Sequence, residues 1–120
     1  MSCSEQLLLL FDEAISRLNR ADYSLKDKNY PDFEDCITRV NRIVRYLIEI
    51  LDMEQPISRD LRRIYNYLVY DLSIIKAGRE RRQDEIGRIR QILSELRGAF
   101  NEASKQVSDM HIVKETEIRG

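Results

Sequence analysis

Residues able to do chemistry are few in this sequence, and they lie far apart. One histidine, His111, and two cysteines, Cys3 and Cys36, are the only side chains of their kinds in 120 residues. A carboxylate-bridged metal pair in a helical bundle needs a Glu-x-x-His unit from each of two helices, which a single His111 cannot supply. A phosphorelay histidine must stand exposed on a central helix, and His111 lies beyond the last patterned segment. Zinc requires clustered Cys and His, whereas Cys3, Cys36 and His111 are scattered. No glycine-rich phosphate loop, Gly-x-Ser-x-Gly elbow or dinucleotide fingerprint is present. Cys36 falls beside an apolar stripe, where a cysteine acts as a small buried hydrophobe rather than a nucleophile. The expectation is a protein with no catalytic residue, no metal ligand and no cofactor, hence not an enzyme.

The elements that would carry any other function can be read from composition and pattern. The chain is 42% hydrophobic and 34% charged, enough apolar residues to fill a core. Twenty basic against 21 acidic residues leave a net charge of −1, so no strong field points at nucleic acid or anionic lipid. The longest apolar run, Leu7 to Phe11, is too short to span a bilayer or form a signal-peptide core. Two cysteines make no disulfide framework, and a reducing cytosol is the expected compartment. Only four glycines and two prolines argue against an all-β chain with many turns.

Breakers cut the chain at Asn29-Tyr30-Pro31, at Asp52-Met53-Glu54-Gln55-Pro56 and at Gly78, which suits the left-handed residue past a helix end. Ser2-Cys3-Ser4-Glu5 has the spacing of a capping box. Four segments result, near residues 3–28, 31–52, 56–77 and 82–107. Their apolar stripes step by three and four. The first is Leu7, Phe11, Ala14, Leu18, Ala21 and Leu25; the second is Phe33, Ile37, Val40, Val44, Leu47 and Leu51. The third is Ile57, Leu61, Ile64/Tyr65, Leu68, Leu72 and Ile75. The fourth is Ile86, Ile89, Leu93, Leu96, Phe100, Ala103 and Val107. Similar lengths and short connections predict an all-α, antiparallel up-down four-helix bundle over residues 1–107, followed by a frayed tail over 108–120.

Binding by surface is what remains. On a wheel of about 100° per residue with Tyr65 at zero, the core residues Leu61, Leu68, Leu72 and Ile75 fall between about −20° and −80°. Tyr67, Tyr70 and Ile74 fall near 200°, 140° and 180°, on the back of helix three. No neighbour in a bundle easily reaches that face, and tyrosine suits a partner site because it buries ring area while keeping a wettable hydroxyl. On helix two, Cys36, Ile43 and Ile50 run at seven-residue intervals along one flank, with Tyr46 farther out. Two readings are open for that flank: a second neighbour inside the bundle, or a further partner contact. Residues 57–82 hold seven basic and three acidic side chains, against three and six in 31–56. These excesses are expected to offset one another across the seam between helices two and three. The alternative, an RNA-binding patch of Arg59, Arg62, Arg63, Arg79, Arg81 and Arg82, sits poorly with the near-zero net charge.

Several runs resemble the FliS family of flagellin export chaperones. Ile37-Thr38-Arg39-Val40-Asn41-Arg42-Ile43-Val44-Arg45-Tyr46-Leu47-Ile48-Glu49-Ile50-Leu51-Asp52 is similar to the family's second helix, which ends in a Leu-Asp pair. Leu10-Phe11-Asp12-Glu13-Ala14-Ile15 resembles Leu-Tyr-Asp-Gly-Ala-Ile in its first helix. Ile64-Tyr65-Asn66-Tyr67-Leu68 resembles Leu-Tyr-Asp-Tyr-Met. Ile92-Leu93-Ser94-Glu95-Leu96-Arg97-Gly98-Ala99-Phe100 resembles the closing Leu-Leu-x-Glu-Leu-Arg-x-Ala-Trp. The likeness spans residues 5–105 in order. Members usually carry a longer, Tyr-containing arm before helix one, and Glu-Ala-Asn where this chain has Lys76-Ala77-Gly78 and an Arg-rich stretch, so a longer hairpin is expected here.

The resemblance implies a bacterial cytosolic chaperone that binds the disordered C-terminal segment of flagellin, prevents premature polymerisation and assists flagellar type III export. Components of the export apparatus are possible further partners; nucleic acid and membrane insertion are not expected. The client-binding residues expected on these grounds are Tyr67, Tyr70 and Ile74 on helix three, with Ile43, Tyr46 and Ile50 on helix two. The protein is expected as a monomer or weak dimer. The rival reading makes the tyrosine face a homodimer seam.

Overall fold

The first two helices of this chain start at side chains that satisfy free N–H groups of the first turn, whereas the third starts at a proline without a side-chain cap. The computed structural model describes residues 2–106. Ser2 caps α1 (Cys3–Lys26): its Oγ accepts from the Glu5 N–H at 3.2 Å and donates to Glu5 Oε1 at 3.1 Å. The expected box thus closes hydroxyl to carboxylate. Asn29 caps α2 (Tyr30–Glu49) by accepting from the Asp32 N–H at 3.2 Å, with Pro31 in the first turn. Pro56 opens α3 (Pro56–Gly78), one turn of 3-10 helix follows at Arg79–Arg82, and α4 is Asp84–Gln106. Val107, His111 and the tail expected over 108–120 lie outside the described residues.

Gly78 does not take the left-handed position expected of it. Its φ is −83°, and Arg79 carries the positive φ, 53°. Glycine is needed at 78 for a different reason: a Cβ there would overlap Cγ of Arg82 as the chain doubles back. The strain at Arg79 aims its side chain at α2, where the guanidinium lies 4.2 Å from the Tyr30 ring centroid and meets Glu34 at 3.1 Å. One 3-10 turn thus occupies the Arg-rich stretch between α3 and α4.

Cross-helix partners run in opposite directions along each pair, so neighbouring helices are antiparallel. Asp32, early in α2, meets Arg20 late in α1, while the later Arg39 meets the earlier Glu13. Asp22 and Asp12 of α1 meet Arg90 and Arg97 of α4. Thr38 and Glu34 meet Lys76 and Arg79 at the end of α3. Helix α1 packs on both α2 and α4, and α2 also packs on α3; α3 and α4 approach each other least. The result is the all-α, antiparallel four-helix bundle. Among the described residues, one ion pair, Arg79–Glu34, joins the basic 57–82 stretch to the acidic 31–56 stretch, so most of that charge is not offset across the α2–α3 seam.

Stripes one and two are buried in full. In α3 the pattern holds from Leu61 to Ile75 but slips at its start, where Ile57 is 48% exposed and Ser58 fully buried. Alternate steps of three and four traced back from Leu61 land on 58, not 57. In α4, Ile86, Ile89 and Leu93 are buried, whereas Leu96, Phe100 and Ala103 are half-buried. Phe100 rests on Phe11 with ring centroids 5.5 Å apart.

Two predictions concern this packing. Ser58 Oγ is buried with no hydrogen-bond partner among the described residues, so Ser58→Ala should raise stability by about 1 kcal/mol, read as a higher urea midpoint. At the α1–α2 junction, Asp32 accepts from Arg20 Nε at 3.0 Å, from Arg20 Nη2 at 2.6 Å and from the Ser24 hydroxyl. The Arg20 and Ser24 hydrogen bonds hold the Asp32 carboxyl below the usual carboxylate range. A folded value below the unfolded one contributes stability above the ordinary range, and that stability is lost as pH falls through the lowered value. Asp32→Asn should therefore flatten the acid-side loss of stability, measured as urea midpoints from pH 7 downward.

Candidate partner-binding surface

Helix α3 turns Leu61, Tyr65, Leu68, Leu72 and Ile75 to the core, which forces residues half a turn away outward. Tyr67 is 40% exposed and Tyr70 64% exposed, and Ile74 is half-buried. The three do not share one pocket. Tyr67 leans toward α4 and lines a groove with Arg63, Ile64, Ile92, Glu95 and Leu96. Tyr70 leans toward α2, beside Asn41, Arg45 and Lys76 in a more polar hollow. Ile74 faces the 3-10 turn, beside Ala77, Arg81 and Arg82. The back of α3 is thus a ridge, with an apolar groove on one flank and a polar one on the other.

The α3–α4 groove exists because the fourth seam of the bundle closes over only part of its length. At its closed end Asp71 is buried, and Arg88 Nη2 donates to Asp71 Oδ2 at 3.2 Å and to Glu85 Oε1 at 3.1 Å. Burial pushes the Asp71 carboxyl up; the Arg88 hydrogen bond pulls it back and the charge of Glu85 raises it again. The same guanidinium lies 5.7 Å from the Tyr67 ring centroid. One turn farther along, the helices part, and the open space of about 480 Å³ is walled mainly by carbon. Such a surface offers no reacting group. It can bury apolar side chains of a partner, with Arg63 and Glu95 at the rim to set its direction.

The flank of helix two resolves in favour of the bundle interior. Ile43 is 5% exposed, Ile50 and Cys36 are buried, and Tyr46 is half-buried against the core. Ile43 and Ile50, expected as partner contacts, lie inside the bundle: α2 touches both α1 and α3, and its widened stripe fills both contacts. Burial also pushes the Cys36 thiol up. Among the described residues no group of His, Cys, Asp and Glu could hold a metal. Among the described residues no helix is long and apolar enough to cross a membrane. The six arginines of the RNA alternative do not converge: Arg59, Arg62 and Arg63 lie at the start of α3, roughly 24 Å from Arg79 along the axis. Arg79 and Arg82 are moreover paired with Glu34 and Glu85.

What the sequence reading missed is the α4 wall of the groove, Ile92 and Leu96. The signal was present in the doubled apolar residues Ile64-Tyr65 and Ile92-Leu93, each of which adds a side chain on the flank facing the other helix. No curated protein matches the chain. A family model described as flagellar protein FliS matches residues 1–107, most of the chain and all four helices. With that match on an antiparallel four-helix bundle whose surface offers grooves rather than reacting groups, the chain belongs to the FliS family of flagellar export chaperones.

Proposed function

We propose that the protein captures the disordered C-terminal segment of flagellin in the bacterial cytosol, keeps it from polymerising and presents it for type III export. The observation that carries this reading is the tyrosine ridge of α3 beside the apolar α3–α4 groove. A disordered client loses entropy when it docks, so it must recover free energy from several apolar contacts spread along its length. A ridge with a groove on each flank suits that need better than one deep pocket. An amphipathic turn of the client would seat apolar residues between Ile64, Tyr67, Ile92 and Leu96, and the chain would continue over Tyr70 and Ile74. Tyr46, half-buried on α2, is a secondary contact in this reading; Ile43 and Ile50 support the surface from beneath.

The test is calorimetric titration with a synthetic flagellin C-terminal segment. Tyr67→Ala alone, and Tyr70→Ala with Ile74→Ala, should each weaken binding by about 2 kcal/mol, roughly thirtyfold in Kd, as expected for aromatic anchors. Unchanged affinity in both variants, with helical content intact, would overturn the assignment. So would sedimentation showing a tight homodimer that the same substitutions dissociate, since the face would then be occupied by a second copy.

A further inference from the structure

Among the described residues, Arg88–Asp71 is the one ion pair joining α3 to α4, and it lies where the seam passes from closed to open. On the closed side α4 buries Ile86 and Ile89; on the open side Ile92 and Leu96 are half-buried groove walls. Tyr67 precedes Asp71 by one helical turn, and Ile92 follows Arg88 by one. The Arg88 side chain is half-exposed, yet its guanidinium engages Asp71, Glu85 and the Tyr67 ring together. Glu85 is further held by Arg82 at 3.0 Å, which ties the cluster to the 3-10 turn. Surface ion pairs contribute little to stability, but a planar guanidinium whose Nη2 donates to two carboxylates at once is well suited to orient a ring that it overlies.

We propose that Arg88 is a positioning residue for client capture: anchored by Asp71 and Glu85, it sets the gap between α3 and α4 and holds the Tyr67 ring at the groove rim. The proposal rests on the reading that Tyr67 contacts the client. Without the guanidinium, the Tyr67 ring would be free to swing across the groove, and the client would have to order it on binding.

A double-mutant cycle tests this with the full chain and a synthetic flagellin C-terminal segment. Arg88→Gln should weaken binding about fivefold in the native background and by less than about twofold in a Tyr67→Ala background, the behaviour of coupled residues. Arg88→Lys, which keeps the charge but not the flat guanidinium face over the Tyr67 ring, should follow the same pattern. The Tyr67 ring resonances of the unliganded protein should shift in both Arg88 variants. Equal losses in the two backgrounds would overturn the proposal while leaving Tyr67 as a client contact. No loss on Tyr67→Ala would instead remove the site reading, and the proposal with it.

Discussion

Leu61, Leu68, Leu72 and Ile75 hold α3 to the core along one face, and α2 supplies most of the wall they meet. Helix α4 completes that wall over its first half only, where Ile86, Ile89 and Leu93 are buried. Past Leu93 it leans on α1 instead, through Phe100 against Phe11 and Arg97 against Asp12. The bundle therefore has three closed seams and one that opens partway. The groove, its carbon lining, the exposed Tyr67 and the isolated ionic contact at the point of opening all follow from that asymmetry.

Leaving a seam partly open costs stability, because apolar surface that could be buried stays wet. A protein whose only task was to fold would close it. The two seams of α1 are better furnished, with Arg20 and Arg39 pairing with Asp32 and Glu13 across α1–α2, and Arg90 and Arg97 with Asp22 and Asp12 across α1–α4. The opening thus sits in a scaffold held firmly elsewhere, and a binding surface retains its shape best when its supports are rigid. Tyrosine at the rim fits the proposed docking surface, which would be wet without a client and dry with one, since the ring gains from burial and the hydroxyl tolerates water.

Much of this architecture was legible in the sequence, and the failures have local causes. The starts of α1 and α2 were readable to within a residue, because their caps are standard side chains, whereas both helices end two or three residues short of the expected bounds, at Lys26 and Glu49. The outward placement of Tyr67 and Tyr70 followed from helical geometry alone. Ile57 was misplaced because hydrophobicity was followed where phase should have been, and Ser58 occupies the core position. Gly78 was assigned to a left-handed turn on residue type, whereas the close passage of Arg82 depends on tertiary structure. Ile43 and Ile50 could not be separated from a surface patch until the second neighbour of α2 was known. The α4 wall was hidden because a wheel shows which side of a helix is apolar, not whether the facing helix arrives to cover it.

The central claim, that the client lies over the outer face of α3 and the α3–α4 groove, is tested most directly by amide hydrogen exchange with and without the flagellin C-terminal segment. The account predicts added protection across residues 64–74 and 92–100, with the outer face of α1 unchanged. Protection confined to α1 and α2, with α3 and α4 exchanging as in the free protein, would contradict it.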